Sequence, residues 1–126
     1  MFVKILYIVL FAVAFFYYFK ISKGSGKPIK AEEVYQKIQN NESFFLLDVR
    51  TPEEYNRGHL PTAILLPNYE IKKSVQAKIP NKESCIVVYC QSGARSAHAE
   101  KILKSLGYKN IYDMGAISRW KHELEK

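Results

Sequence analysis

The sequence predicts an α/β domain in which helices cover both faces of a largely parallel central sheet. Short apolar segments alternate along the chain with segments whose apolar residues recur at helical spacing, which is typical of parallel α/β folds. The segment Cys85 to Cys90 is apolar throughout, as expected of a strand buried on both sides. The chain has 126 residues, enough for one core and one domain.

The first part of the chain is hydrophobic. Ile5 to Phe19 gives fifteen uncharged, mostly large apolar residues between Lys4 and Lys20. A helix of that length covers about 22 Å, less than a hydrocarbon core of roughly 30 Å, although flanking lysines and tyrosines extend its reach. We therefore predict one N-terminal hydrophobic helix in residues 1–22 that acts as a transmembrane anchor, with a cleavable signal segment as the alternative. A single-pass, membrane-anchored location follows, with the domain on either the cytoplasmic or the exported side.

A linker is predicted between this segment and the folded domain. Residues 23–28 include Gly24, Ser25 and Gly26, which favour flexibility, and Pro28, which prevents a helix from continuing. The domain itself is predicted to occupy residues 29–126.

Local signals place the elements of the domain. Thr51 and Pro52, followed by two glutamates, are typical of a helix start, because threonine caps the first turn, proline fits it and carboxylates favour the positive end of the helix dipole. Gly107 is well placed to end a helix. In chain order, the sequence predicts a helix at 31–39, a strand at 44–49, a helix at 52–57, a strand at 63–66, a helix at 69–79, a strand at 85–90, a helix at 96–106, a strand at 110–114 and a helix at 117–124.

The charge of the chain is moderately basic. The formal net charge is +7, but Lys4, Lys20 and Lys23 flank the hydrophobic segment. No stripe of lysines interleaved with aromatic residues follows, so we expect no nucleic-acid binding. A mildly basic surface instead favours small anionic substrates.

The two cysteines predict neither a disulfide nor a metal site. Five strand steps would separate Cys85 from Cys90 by about 16 Å, whereas a disulfide requires Cα atoms within about 7 Å. The histidines, His59, His98 and His122, are scattered, and no zinc-binding spacing is present. We expect Cys85 to be a core residue, and the alternative is that Cys85 acts as a resolving cysteine.

The strongest functional signal is Cys90-Gln-Ser-Gly-Ala-Arg-Ser96, in which a cysteine leaves a buried strand and enters a short loop that a helix follows at once. The loop N–H groups and the helix N-terminus form a cradle that stabilises a thiolate or a bound anion. Arg95 adds positive charge and a planar fork for an oxyanion. Gly93 permits backbone angles that other residues resist. We expect Ser96 to cap the helix and to donate a hydrogen bond toward the sulfur.

Four segments together resemble the rhodanese family, and the resemblance extends from Ile29 to about Leu124. Leu47-Asp-Val-Arg-Thr-Pro-Glu-Glu-Tyr55 is similar to the first signature of that family, and Gly58-His-Leu-Pro-Thr-Ala63 to the second. Cys90 to Ser96 resembles the active-site loop, and Tyr112-Asp-Met-Gly-Ala116, followed by a tryptophan, resembles the C-terminal signature.

The sequence departs from the family pattern at two positions. Thr62 and Ala116 stand where the family commonly has glycine. Both positions lie in loops, so we expect the departures to affect local loop shape more than the nucleophile.

The resemblance implies a three-layer rhodanese-like domain with sulfurtransferase activity. Cys90 would be the catalytic nucleophile that takes a sulfane sulfur from a small anionic donor, either thiosulfate or a persulfide, and passes it to a thiol or cyanide-like acceptor. No metal or organic cofactor is required, because the thiolate performs both half-reactions. The expected substrate-binding residues are those of the loop, namely Gln91, Ser92, Gly93, Ala94, Arg95 and Ser96.

Three further residues are expected to support the loop. Asp48 and Arg50 follow the first domain strand, and the resemblance implies that they form part of the wall around the loop; a structural ion pair is the simpler interpretation. His59 is expected to hydrogen-bond backbone and hold its own loop rather than to act as a general base.

Two other functions stay open at this point. A rhodanese fold can dock protein partners without catalysis, but this chain keeps the loop and its cysteine. Cysteine-based phosphatases and arsenate reductases also use a cysteine and an arginine in an anion-binding loop, but the four residues between Cys90 and Arg95 are fewer than a phosphate-enclosing loop uses.

Overall fold

The computed structural model describes residues 2–22 and 26–126, with side chains described for residues 2–17 and 26–126. The helices are α1 (Phe2–Ser22), α2 (Ala31–Gln39), α3 (Pro52–Arg57), α4 (Ile71–Lys78) and α5 (Ala94–Ser105). The strands are β1 (Gly26–Pro28), β2 (Phe45–Asp48), β3 (Ile64–Leu65), β4 (Cys85–Cys90) and β5 (Asn110–Ala116), and short 3₁₀ turns occupy Asn68–Glu70 and Ile117–Arg119.

The strands form one sheet in the order β1-β5-β4-β2-β3, and every neighbouring pair is parallel. Parallel neighbours cannot be joined by a tight hairpin, so the chain crosses over a face of the sheet between them. The predicted α/β fold with a parallel central sheet flanked by helices is therefore confirmed.

The core has two halves, one on each face of the sheet. Along β4, Ile86, Val88 and Cys90 belong to the cluster on the face of α4 and α5, whereas Val87 and Tyr89 belong to the cluster that includes α2. This alternation follows from the two-residue period of a strand. Because both faces are covered, β4 is apolar throughout, as the sequence predicts.

Helix α3 begins with the predicted signals. The Thr51 side chain accepts a hydrogen bond from the Glu54 N–H, and the Glu54 carboxylate accepts one from the Thr51 N–H. This reciprocal capping box satisfies two of the N–H groups that a helix start leaves without partners. The helix therefore has a fixed starting point only three residues after the end of β2.

Most predicted elements are present, but three predictions are wrong in detail. No α-helix spans 117–124: a 3₁₀ turn ends at Arg119, Trp120 is extended, and Glu125 forms an isolated antiparallel bridge with His59. Gly26–Pro28, predicted as linker, pairs with β5 as an edge strand, while residues 23–25 of that linker lie outside the described range. Helix α5 begins at Ala94, with Gly93 rather than Ser96 as its N-cap.

The prediction of a membrane anchor in residues 1–22 is also wrong. A search of the described residues finds no helix with both the length and the apolarity needed to cross a membrane. Helix α1 contains Lys4 and Lys20, and the uncharged run between them covers only about 22 Å of a core of roughly 30 Å. The prediction of a single-pass, membrane-anchored protein rests on such a span and is therefore wrong.

Shortening a core side chain of α5 tests the packing of the sheet. Leu103 is fully buried in the cluster beneath α4 and α5. We expect Leu103→Ala to lower the free energy of unfolding by about 2–5 kcal/mol, because apolar burial is lost and a cavity remains. Urea unfolding followed by circular dichroism measures the change. Lys101→Ala, an exposed position on the same helix, is the control and should change the value by less than about 0.5 kcal/mol. An equal effect of the two substitutions would contradict the assigned packing.

Candidate active site

The candidate site lies where the strand order reverses. After β2 the chain adds β3 on one side, whereas after β4 it adds β5 on the other, so β2 and β4 are neighbours at a switch point of the topology. Their carboxyl ends, Asp48 and Cys90, meet at the same edge of the sheet. In open α/β sheets this crevice is the usual position of a ligand site.

The loop after β4 surrounds the sulfur of Cys90. The Gly93 N–H donates a hydrogen bond to Cys90 Sγ over 3.0 Å. Gly93 has φ 104°, a left-handed conformation that favours glycine, and it is the N-cap of α5. The Ser96 hydroxyl donates to the Gly93 carbonyl over 3.0 Å, so it holds the loop rather than donating to the sulfur. The sulfur therefore lies at the positive end of a 12-residue helix.

Cys90 itself is fully buried, while the side chains of Gln91, Ser92 and Ala94 around it are exposed. These three residues form the outer surface of the loop. The arrangement keeps bulk water away from the sulfur while the Gly93 N–H faces it.

Arg95 is engaged by a carboxylate from another segment of the chain. Its two terminal nitrogens donate to the two carboxylate oxygens of Glu54 over 2.6 and 2.9 Å. The hydrogen bonds from Arg95 lower the pKa of Glu54 to about 2, and the contacts from Thr51 act in the same direction. The fork that the sequence predicts for a substrate oxyanion is thus paired with Glu54 in this structure.

A buried ion pair lies beside the loop. Asp48 is fully buried, and its carboxylate accepts hydrogen bonds from the backbone N–H, Nε and Nη2 of Arg50. It also accepts a 2.7 Å hydrogen bond from the Tyr89 hydroxyl, which in turn accepts one from the Leu60 N–H. Burial raises the pKa of Tyr89, and the neighbouring Asp48 charge raises it further. The phenol is therefore held as a neutral hydrogen-bond donor.

Arg50 joins this pair to two loops. Its Nη2 donates to the Gly58 carbonyl over 2.7 Å, and its Nη1 donates to the Gln91 side-chain oxygen over 3.1 Å. Arg50 therefore links the chain after β2 to the loop at Gly58 and to the cysteine loop.

His59 packs within its own loop. Its Nδ1 lies 3.0 Å from the Tyr55 carbonyl oxygen, and its ring stacks on the Tyr55 ring at a centroid distance of 3.7 Å. Its backbone exchanges two 2.8 Å hydrogen bonds with Glu125, and the Tyr55 hydroxyl donates to the Ala63 carbonyl. These contacts hold the 58–63 loop, and they leave His59 turned toward Tyr55.

An open cleft adjoins the loop. Its volume is about 680 Å³, and it is lined by Arg50, Glu54, Arg57, Gly58, Gln91, Ile117, Ser118, Trp120 and Leu124. Gln91, the residue directly after Cys90, forms the wall of the cleft on the side of the cysteine loop. The cleft thus combines arginines with an apolar side made by the chain after β5.

The structure joins Asp48 and Arg50 to the cysteine loop through Gln91, but it places His59 in a neighbouring loop against Tyr55. It also adds partners that the sequence patterns do not indicate. Glu54 is recognised from the sequence only as a helix-start residue, although it pairs with an arginine 41 positions away. Tyr89 is hidden in an apolar strand pattern, although its hydroxyl hydrogen-bonds Asp48. No signal in the sequence indicates either contact, since both depend on strand order.

The remaining expectations concern metals and the second cysteine. Within residues 2–17 and 26–126, no group of three His, Cys, Asp or Glu side chains is placed to hold a metal ion. Cys85 is half-buried at the start of β4 and is not bonded to Cys90. Burial raises the pKa of the Cys85 thiol, which disfavours the reactive thiolate there.

The two departures from the family pattern have different structural costs. Ala116 is extended, with φ −75° and ψ 138°, which any residue adopts. Thr62 has φ 69°, in the left-handed region where a β-branched residue is strained. Only the departure at Thr62 therefore forces the backbone into an unfavourable conformation.

Comparison with known proteins agrees with this geometry. The family model of the rhodanese-like domain matches residues 30–123. The chain belongs to this family. Thiosulfate sulfurtransferase PspE of Escherichia coli (strain K12) is 35% identical over 71 residues, which are 56% of this chain and 68% of that protein. A sulfurtransferase of Allochromatium vinosum is 37% identical over 93 residues, 73% of this chain and 85% of that protein.

Solved structures support the same assignment. The structure described as "rhodanese with anions from E. coli" matches with a TM-score of 0.63 at 31% identity, covering 67% of this chain and 99% of that chain. Together with the sequence relatives, this places the rhodanese-like domain described above in the general class of sulfurtransferases.

Removing the phenol oxygen of Tyr89 tests the buried hydrogen-bond network of this rhodanese-like domain. Tyr89→Phe would leave Asp48 without one donor and the buried Leu60 N–H without its acceptor. We expect the free energy of unfolding to fall by about 1–3 kcal/mol, measured by urea denaturation. The matched control is Tyr112→Phe, because the half-buried Tyr112 hydroxyl has no hydrogen-bond partner among the described residues. Equal losses for the two variants would mean that the hydrogen bonds of Tyr89 contribute nothing.

The Glu54–Arg95 pair predicts a pH dependence of stability. The pKa of Glu54 is lowered from 4.5 to about 2, so the pair stabilises the fold above pH 4.5 and loses this contribution as the pH falls toward 2. Glu54→Gln keeps a side chain that can accept the capping hydrogen bond but removes the charge. We expect it to lower the free energy of unfolding by about 1 kcal/mol at neutral pH, because the pair is partly exposed.

The measurement is urea unfolding of wild type and Glu54→Gln between pH 3 and pH 7. The difference between them should shrink steadily below pH 4.5. Glu53→Gln, at the exposed neighbouring position on α3, is the control. A difference that does not depend on pH would contradict the ion-pair explanation.

Proposed function

We propose that this domain is a sulfurtransferase that moves a sulfane sulfur from thiosulfate or a persulfide, through a persulfide on Cys90, to a thiophilic acceptor. The observation that carries the proposal is the position of Cys90 Sγ, which accepts the Gly93 N–H within a loop at the N-terminus of α5. That surrounding stabilises negative charge on sulfur, both in the thiolate and in the persulfide.

In the first half-reaction the Cys90 thiolate attacks the outer sulfur of thiosulfate. A bond forms between Sγ and that sulfur, the S–S bond of thiosulfate breaks, and sulfite leaves with the electron pair. No oxidant is consumed, because the sulfane sulfur is transferred at its own oxidation level. The helix dipole of α5 and the loop N–H groups stabilise the anions on both sides of the step.

In the second half-reaction the acceptor attacks the outer sulfur of the Cys90 persulfide. Cyanide as acceptor forms a carbon–sulfur bond and leaves as thiocyanate, while Cys90 regains its electron pair as a thiolate. Each substrate reacts separately with the enzyme, so ping-pong kinetics follow. The cysteine performs both steps, so the proposal requires no metal or organic cofactor.

The surrounding residues have distinct roles in this proposal. Gln91, Ser92 and Ala94 form the surface over which the donor approaches, and Gly93 and Ser96 fix the shape of the loop. Asp48 and Arg50 hold the loop through Gln91, and His59 holds the neighbouring loop. Arg95, paired with Glu54, acts by positioning the loop against α3. The curated relatives named as sulfurtransferases support this chemistry.

Intact-mass spectrometry of the full chain after treatment with thiosulfate tests the proposal. We expect the wild type to gain the mass of one sulfur atom and to lose it on addition of cyanide, with release of thiocyanate. Cys90→Ala should gain no sulfur. The matched control is Cys85→Ala, which should load and unload as the wild type does, because Cys85 has no loop N–H group facing it.

Two results would overturn the proposal. One is sulfur loading that persists in Cys90→Ala. The other is a wild-type protein, folded by circular dichroism, that neither thiosulfate nor a low-molecular-weight persulfide loads. In the second case the domain would be a protein-docking module of the same fold.

A further inference from the structure

The cleft beside the cysteine loop is larger than the donor requires. Thiosulfate is a compact inorganic ion, whereas the cleft volume of about 680 Å³ falls in the range of roughly 300–1,000 Å³ typical of sites for organic ligands. A second substrate of organic character would use this space.

The charges around the cleft are unequally available. Arg50 is committed to Asp48, Gly58 and Gln91, and Arg95 is paired with Glu54. Arg57, at the end of α3, is exposed, lines the cleft and has no hydrogen bond or ion pair with any described residue. It is therefore the guanidinium of the cleft that is free to bind a ligand anion, and its planar fork fits a carboxylate.

The other side of the cleft is apolar. Ile117, Trp120 and Leu124 come from the chain after β5, where a 3₁₀ turn followed by non-helical chain replaces the predicted helix. The Arg50 Nη1 hydrogen bond to the Gln91 oxygen fixes the wall next to Cys90. A ligand here would meet the Arg57 guanidinium, an apolar surface and the Gln91 wall next to the cysteine loop.

We propose that this cleft binds the sulfur acceptor, and that the acceptor is an organic thiol that carries a carboxylate. The carboxylate pairs with Arg57, the organic part packs on Trp120 and Ile117, and the thiol lies toward Gln91 and Cys90. This assignment rests on the proposed function, and it makes Arg57 the residue that determines acceptor specificity.

The transfer balances without a further reactant. The acceptor thiolate attacks the outer sulfur of the Cys90 persulfide, and a new S–S bond forms. The bond between that sulfur and Sγ breaks, and its electron pair returns to Cys90 as a thiolate. The product is the persulfide of the organic acid.

Binding is tested without any sulfur chemistry by the fluorescence of Trp120, the single tryptophan of the chain. The probe is S-methyl-N-acetylcysteine, which carries a carboxylate and has no reactive thiol, and its methyl ester is the uncharged control. In the wild type the acid should bind about five- to tenfold more tightly than the ester, the size of one ordinary net hydrogen bond. Arg57→Gln should abolish that preference.

Three variants separate charge from structure. Arg57→Lys keeps the positive charge and should restore most of the preference for the acid. Lys72→Gln, an exposed change on α4 across the sheet, should keep it fully. Thermal melting of each variant checks the fold, because Arg57 also lies in the last turn of α3.

A kinetic assay connects the cleft to turnover. Full-length protein loaded with thiosulfate is discharged with N-acetylcysteine or with its methyl ester. The ratio of the KM for the ester to the KM for the acid should be about five to ten in the wild type and in Lys72→Gln, and should fall to about one in Arg57→Gln.

The outcomes distinguish the two proposals. If thiosulfate loads Cys90 and cyanide discharges it, but acid and ester bind and react equally, the carboxylate-thiol assignment is wrong and the sulfurtransferase stands. If thiosulfate never loads Cys90 but the Trp120 titration still shows tighter binding of the acid that depends on Arg57, the cleft is a carboxylate-binding site. The sulfurtransferase proposal is then wrong. A preference that survives Arg57→Gln would overturn the role of Arg57.

Discussion

The ion pair between Asp48 and Arg50 is the contact on which the site depends. Both side chains are almost completely out of water, and a buried charge is tolerated only when it is paired and hydrogen-bonded on all sides. Asp48 meets this condition with donors from Arg50 and Tyr89, and Arg50 meets it with the Gly58 carbonyl and the Gln91 amide. Because one guanidinium satisfies all these acceptors, the three segments of chain that surround the nucleophile cannot move independently. The geometry of the cysteine loop is therefore set partly by a pair of charges that stand apart from the sulfur.

The three arginines near the cysteine loop, Arg50, Arg95 and Arg57, differ in whether their charge is already paired. Arg50 is paired with Asp48 and Arg95 with Glu54, so neither arginine presents an unpaired charge to a ligand. In the proposed reaction, negative charge on sulfur is stabilised by the Gly93 N–H and the α5 dipole, which have fixed positions and need no side-chain ordering. Arg57, in the wall of the same cleft, keeps a charge that has no partner among the described residues. In the proposed reaction, the group that stabilises the reacting sulfur is thus separate from the group that selects the sulfur acceptor.

Sequence patterns could predict the parts of this structure that depend on near neighbours. The bounds of α2 and β4, the capping of α3 and the nucleophile loop follow from spacing, turn chemistry and resemblance. The Glu54–Arg95 and Tyr89–Asp48 contacts each join residues 41 positions apart and depend on β2 lying beside β4, which local patterns do not encode. The prediction of a helix at 117–124 is wrong because the apolar spacing around Trp120 also suits an extended segment packed against Tyr35. The prediction of a membrane anchor is wrong for another reason, since an apolar segment must also be long enough to cross the membrane.

Thr62 carries a conformation that its side chain disfavours, with φ 69° in the turn before β3. A left-handed backbone costs roughly 1–2 kcal/mol for a residue with a Cβ. Glycine would remove that cost, but it would also enlarge the conformational freedom of the unfolded chain, which costs about 0.4–1 kcal/mol in the opposite direction. The net cost of threonine at position 62 is therefore between about 0 and 1.6 kcal/mol, a small part of the free energy of unfolding of a typical domain.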